Sequence, residues 1–198
     1  MILFAYIAVL FPVILFGNAT RVEKPKVALA PIGPVGRDLL DWCKEHLSKY
    51  VEVEVIVSER TDLPGSAYDP VRKQYLGDAM LSQLSTLKIE ANRIVGLVDQ
   101  DCYTSGLNFV FGQASSKGRE AFVALPRLRQ SFYKRKEDQE LFHRRVLKEI
   151  IHELGHTWDL SHCSNPKCVM HFSNMLHDTD VKGSGFCSIC LKRLSLGR

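Results

Sequence analysis

The sequence predicts an α/β (α+β) fold, with a mixed β-sheet, flanking helices, a long helix late in the chain and a cysteine-rich C-terminal segment. Three observations predict it. Short apolar runs alternate with stretches of helical periodicity through the first half of the chain. Two later apolar runs flank a Ser-Lys-Gly turn and read as a hairpin. A long helical stretch then gives way to a tail that holds four of the six cysteines within the last 36 residues. The chain has 198 residues, 45% hydrophobic and 24% charged, which suits one domain with its own core.

In order, Lys26–Gly33 reads as a buried strand ending in a Pro/Gly loop, and Gly36–Tyr50 as a helix with Leu39, Leu40, Cys43 and Leu47 on one face. Val51–Ser58 alternates apolar and charged residues, as a half-buried strand does. A loop with Pro64, Gly65 and Pro70 leads to a helix over Val71–Leu87, with Tyr75, Met80, Leu81 and Leu84 on its face. Arg93–Asp101 is a further buried strand. "LNFVFGQAS" and "REAFVALPRL" form the hairpin around Ser116–Gly118. The long helix runs from about Glu137 to Trp158 with Val146, Leu147, Ile150, Ile151 and Leu154 as its apolar stripe, and an irregular tail follows. The alternation in the first half favours parallel pairing there.

Residues 1–23 stand apart. The uninterrupted apolar run from Ile2 to Phe16 is short for a membrane span and suits the core of a signal peptide, with Gly17 and Ala19 acceptable before a cleavage point. No positive segment precedes it beyond the amino terminus itself. A signal peptide or membrane anchor is therefore expected over 1–23, with a buried strand or a misassigned start as the alternative. The folded domain covers 24–198. It would be secreted or membrane-associated if the leader works, and cytoplasmic otherwise.

The net charge of +4 is mild. The densest basic run, Arg127–Arg145, also holds Glu137, Asp138 and Glu140, so it reads as a solvated face. No interleaving of aromatic and basic residues suggests stacked bases, so no nucleic-acid partner is expected. Membrane contact is expected only through the leader, and the domain is expected to be a monomer.

The chemistry concentrates in "HELGHTWDLSHC". His152 and His156, four residues apart, project from one helix face, and both imidazoles can reach one ion. Glu153 stands beside them, where a carboxylate can take a proton from metal-bound water. His162 lies past a plausible helix end and can supply a third nitrogen. Three neutral ligands leave the open position that hydrolytic zinc requires. The bland reading is a helix that carries the pattern by chance. Next, Cys163 and Cys168 form one close pair and Cys187 and Cys190 another. Together they could make a closed four-thiolate zinc site that pins the tail and holds His162; two disulfides are the competing reading.

At these residues the sequence resembles the archaemetzincins, zinc metalloproteases of the metzincin clan. Their pattern is His-Glu-x-x-His-x-x-Gly-x-x-His-Cys, then Cys-x-Met, then Cys-x-x-Cys. Here it is met by His152, Glu153, His156, His162, Cys163, Cys168, Met170, Cys187 and Cys190. The stretch between Met170 and Cys187 has sixteen residues, one short of the usual spacing. "GLVDQDCYTSGLNFVFGQAS" and "KVALAPIG" extend the likeness over most of the chain after the leader. The resemblance implies a zincin-type fold, a peptide or protein substrate, and two Zn2+ ions per chain, one catalytic and one structural. Glu153 would be general base and acid, and Met170 the Met-turn packed under the catalytic zinc. "NFVFGQA" would be the strand bordering the cleft, though it also reads as plain core and hairpin.

One position departs from the pattern: Asp159 stands where the family has glycine. That glycine lets the chain leave the helix in a left-handed turn. Asp is among the next most tolerant residues there, at a cost of about 1 kcal/mol. Asp159 is expected in that turn, with orientation of His162 as its alternative role. Among the remaining candidates, His46 and His143 read as surface residues, and His171 and His177 as tail histidines near the metals. Cys43 and Cys102 read as buried free thiols, and Tyr103 as a packing residue. The function these features favour is a zinc metallopeptidase. A non-catalytic zinc-binding interaction domain and a hydrolase of non-peptide amides are the other readings.

Overall fold

The structure, a computed structural model, describes residues 23–196. The leader expected over 1–23 lies, but for its last residue, outside the described residues. No helix among the described residues is long and apolar enough to cross a membrane.

β1 (Lys26–Ile32) ends where Gly33 turns the chain at φ +69°, a conformation glycine adopts without strain. α1 (Arg37–Leu47) and β2 (Glu54–Val57) follow, the strand shorter than the alternation of 51–58 suggests. The region expected as one helix over 71–87 divides. β3 (Tyr68–Asp69) and β4 (Gln74–Leu76) form a tight antiparallel pair, and α2 occupies only Gly77–Thr86. The cause is local. Asp69 Oδ1 accepts from the backbone N–H groups of Val71 and Arg72, and Lys73 sits at φ +56°, so the chain reverses instead of coiling. Tyr75, expected on the helix face, lies on β4 against Tyr68.

β5 (Arg93–Val98) and β6 (Cys102–Tyr103) come next. The hairpin forms as expected, with β7 (Gly112–Ala114) antiparallel to β8 (Glu120–Ala124). The main sheet has the order β2-β1-β5-β8-β7; its first four strands are parallel and β7 is the antiparallel edge. A smaller sheet joins β3, β4 and β6.

α3 (Gln139–Thr157) is the long helix. Asp138 caps it, accepting from Leu141 N at 2.9 Å. The tail expected to be irregular carries two helices, α4 (Leu176–Val181) and α5 (Ser188–Leu196). α4 starts where Asp178 Oδ2 accepts from Asn174 N and Met175 N at 2.9 and 3.0 Å, satisfying two backbone donors at once.

Two apolar layers enclose the main sheet. Val27, Leu29, Val95, Leu97 and Val123 face α1 and α3, while Ala28, Ile32, Ile94 and Phe122 face Met80 and Leu84 of α2. The stripe of α3, Val146, Leu147, Ile150, Ile151 and Leu154, is buried against the first layer. That burial fixes the rotation of α3 and sends its other face towards the open edge of the sheet.

Candidate active site

That face carries the predicted donors. His152 and Glu153 are both 4% exposed, and His156 is half-buried. Past Trp158, Asp159 takes φ +62°. Leu160 N bonds to Gly155 O and Asp159 N to His156 O, each at 3.0 Å, the paired closure of a left-handed helix end. The expected turn at Asp159 is therefore present, and it brings His162 back over the helix.

The histidines are oriented from behind. His152 Nδ1 lies 2.8 Å from Val169 O, and His156 Nδ1 lies 2.7 Å from Leu160 O. A carbonyl can only accept, so each Nδ1 carries the proton and each Nε2 presents a lone pair. Those two Nε2 atoms are 3.1 Å apart, and the donors of His152, His156 and His162 all lie within 4.8 Å of one another. Nitrogens around one tetrahedral zinc are spaced at about 3.3 Å, so the set fits that ion. Burial pushes all three imidazoles below the usual histidine value, most strongly His152, where the Lys182 charge adds to the effect. Neutral rings are the form a metal takes.

Glu153 is held beside them. Burial raises its carboxyl well above the usual carboxylate value; the Glu149 charge adds to this and Lys182 opposes it. Gly112 on β7 makes room for it, because a Cβ there would fall 2.6 Å from Glu153 Oε1 and 2.7 Å from Phe122 O. Met170 is fully buried beneath the helix. A Cβ on Gly155 would lie 2.3 Å from its sulfur, so Gly155 is required for that contact.

The four tail cysteines also converge. Cys163 and Cys187 sulfurs are 3.8 Å apart, Cys168 and Cys190 sulfurs are 3.7 Å apart, and all four lie within 4.8 Å of one another. The four sulfurs are unbonded to one another. The separations match the edge of about 3.8 Å expected for four sulfurs around one zinc, against about 2.05 Å for a disulfide. Hydrogen bonding, first of all from the Cys190 backbone, lowers the Cys187 thiol to about 7, whereas burial raises Cys168 and Cys190.

A cleft of about 620 Å3 opens in front of the histidines. Residues 107–116, including β7, form one wall; His152, Glu153 and Glu149 of α3 form the floor; Phe172, Ser173 and Asn174 form the other wall.

Comparison with known proteins shows the family. Peptidase family M54 matches residues 28–196. The chain belongs to peptidase family M54. It is 44% identical over 161 residues to the archaemetzincin of Methanopyrus kandleri, covering 81% of this chain and 89% of that protein. It is 42% identical over 175 residues to the archaemetzincin of Thermococcus kodakarensis, covering 85% and 94%. The crystal structure of the Methanopyrus kandleri archaemetzincin superposes with a TM-score of 0.80 at 41% identity, covering 90% of this chain and 98% of that one. The α/β fold expected from the sequence is thus the archaemetzincin fold, and this M54 chain is a zinc metallopeptidase.

Within the M54 domain, the minor candidates sort differently. His143 is buried, not on the surface: it packs on Trp42 with ring centroids 5.1 Å apart and contacts Gln139 Nε2 at 2.9 Å, because α1 crosses α3 there. His46 is half-buried and stacked on the same tryptophan. His171 approaches Cys163 O at 3.0 Å and His177 is exposed; neither lines the cleft. Cys43 and Cys102 are fully buried, and burial raises both to about 12. Tyr103 packs under Arg72.

The residues missed in the sequence hold the tail onto α3. Arg145 binds both oxygens of Asp180 at 2.7 Å, and Lys148 Nζ reaches Thr179 O at 2.9 Å. Glu149 accepts from Thr179 Oγ1 at 2.8 Å and from Lys182 Nζ at 3.1 Å, with Lys182 1% exposed. One signal was available. Glu149 is four residues before Glu153 and so must share its face.

Proposed function

We propose that this metallopeptidase cleaves peptide bonds through water activated at His152, His156 and His162, with Glu153 as general base and then acid. A second zinc, held by Cys163, Cys168, Cys187 and Cys190, would be structural. The observation that carries the reading is the buried Glu153 carboxyl on the cleft floor, directly beside three imidazoles whose free nitrogens converge.

Zinc at the histidines would supply Lewis acidity, lowering the pKa of its water towards about 7 and polarising the scissile carbonyl. The protein's own groups do the rest. Glu153 takes the proton of the attacking water, and its raised proton affinity suits a group that must keep that proton until the amine leaves. Val169 O and Leu160 O hold the two helix imidazoles in the required tautomer. Met170, seated against Gly155, supports the helix from below as the Met-turn. β7 is the edge strand of the main sheet, so its outer backbone groups are available to an extended peptide lying along the cleft. Asp159 serves by taking the left-handed turn that returns the chain to His162.

The test combines metal content with cleavage of a mixed peptide library. Wild type should hold about two zinc ions, Cys187→Ser about one, and Glu153→Ala about two with no cleavage. The mechanism is wrong if Glu153→Ala remains active, and the two-ion assignment is wrong if wild type holds one.

A further inference from the structure

We propose that the cleft contains a neutral polar subsite, formed by Ser173 Oγ and by a Glu149 carboxylate paired with Lys182, that takes a substrate side chain bearing an amide or hydroxyl. The proposal rests on the peptidase reading and names the substrate class of the same cleft.

Ser173 Oγ is buried and has no hydrogen-bond partner, although it stands in the cleft wall. A buried hydroxyl without a partner is rare in a folded protein and marks a place where a polar group is received. Glu149 lines the same cleft one helical turn before Glu153. Its Oε1 accepts from Thr179 Oγ1 at 2.8 Å, and Lys182 Nζ lies 3.1 Å from both oxygens, so Oε2 keeps a second lone pair. α4 holds both groups. Asp178 binds the backbone of Asn174, next to Ser173, while the adjacent Thr179 binds Glu149.

The charges decide what fits. The buried Lys182 ammonium, behind Glu149, already compensates its charge, so a basic side chain would find no net charge to pair with and an acidic one would face the carboxylate, both with little water to screen them. An amide offers an oxygen to the Ser173 hydroxyl and N–H groups to Glu149, and a hydroxyl can make either bond. Asn and Gln are the best match, followed by Ser and Thr. A dock that merely anchored α4 would leave peptide selectivity indifferent to these residues.

The experiment is a fluorogenic peptide library varied at each position flanking the cleaved bond, with kcat/KM read for the zinc-loaded wild type and three variants. At one position, wild type should favour Asn and Gln over Lys, Arg, Asp and Glu by about tenfold or more. Ser173→Ala should reduce the ratio of Gln to Ala cleavage by about tenfold. Lys182→Met, which leaves Glu149 without its cation, should shift the preference at that position towards Lys and Arg by about tenfold. The Glu149→Gln/Lys182→Met double variant restores neutrality and should lose that shift. Should Lys182→Met fail to melt cooperatively, Ser173→Ala and the double variant still decide. A profile led at every position by large apolar or by charged residues, or one unchanged in the variants, overturns the subsite alone. Absence of any wild-type cleavage overturns the subsite and the peptidase reading together.

Discussion

The two donor clusters are adjacent in the chain, joined at His162 and Cys163, yet they are built in opposite ways. The histidine set has three donors, two from α3 and one from the returning loop, and it faces a cleft of about 620 Å3. His162 is exposed there. The cysteine set has four donors, all from the segment after α3, with Cys168 and Cys190 each 1% exposed. Three donors beside an open cleft leave a position for chemistry, and four donors around one point leave none. The first cluster depends on a helix that the core already holds. The second gathers a segment that has little apolar core of its own. Loss of a ligand should therefore cost activity in one cluster and stability in the other.

Cys168→Ser should have the largest effect on stability. It should free the tail and lower unfolding stability by on the order of 5 kcal/mol, read by denaturant titration, with one zinc lost. The contrast between the clusters fails if the variant melts like wild type. His156→Gln is the counterpart. It should abolish cleavage and remove the other zinc while costing only about 1 kcal/mol of stability, because the apolar stripe of α3 is untouched. A loss as large as that of Cys168→Ser would show that the histidine site is also structural.

Asp159→Gly should stabilise by about 0.5–1 kcal/mol with zinc content unchanged, since glycine adopts φ +62° without the clash that a Cβ brings. Lost zinc in that variant would assign Asp159 a role beyond the turn. The smallest effect is on pH. In the metal-free protein the three imidazoles are held neutral below the usual histidine value, so the unfolded chain takes up more protons as the pH falls through about 6.5. Stability contributed by these groups is present above that pH and lost below it. Glu153 acts in the opposite sense, with its raised value making the fold less stable as the pH rises through the carboxylate range. Replacing His152 with Gln should make the acid-side fall shallower, as followed by melting temperature between pH 5 and 8. An unchanged slope would mean that His152 is not held neutral.

Local patterns made much of this legible. The α3 stripe, the strands at 26–32 and 93–98, and the hairpin of β7 and β8 follow from periodicity and a turn signal. The histidine and cysteine spacings identified both donor sets, and the tolerance of Asp for positive φ anticipated the turn at Asp159. The errors fall where a neighbour overrides the pattern. Residues 71–76 have apolar positions at helical spacing, yet Asp69 and Lys73 close a turn that pairs β4 with β3. His143 reads as a solvated helix residue until α1 lays Trp42 across it. The tail looks irregular because α4 and α5 are too short for their periodicity to stand out.

By itself, the sequence determined which residues can ligand metal, which can move a proton, and where the chain must turn, because those properties depend on side-chain chemistry and spacings of a few residues. Only the tertiary structure decided that the cysteines form one cluster, that Gly112 and Gly155 are absences of side chain serving Glu153 and Met170, and that Arg145, Glu149 and Lys182 join the tail to α3. Those contacts link residues up to 41 positions apart in the chain, as between Gly112 and Glu153. Their partners are chosen by packing of the sheet and α3, which no short stretch of sequence specifies.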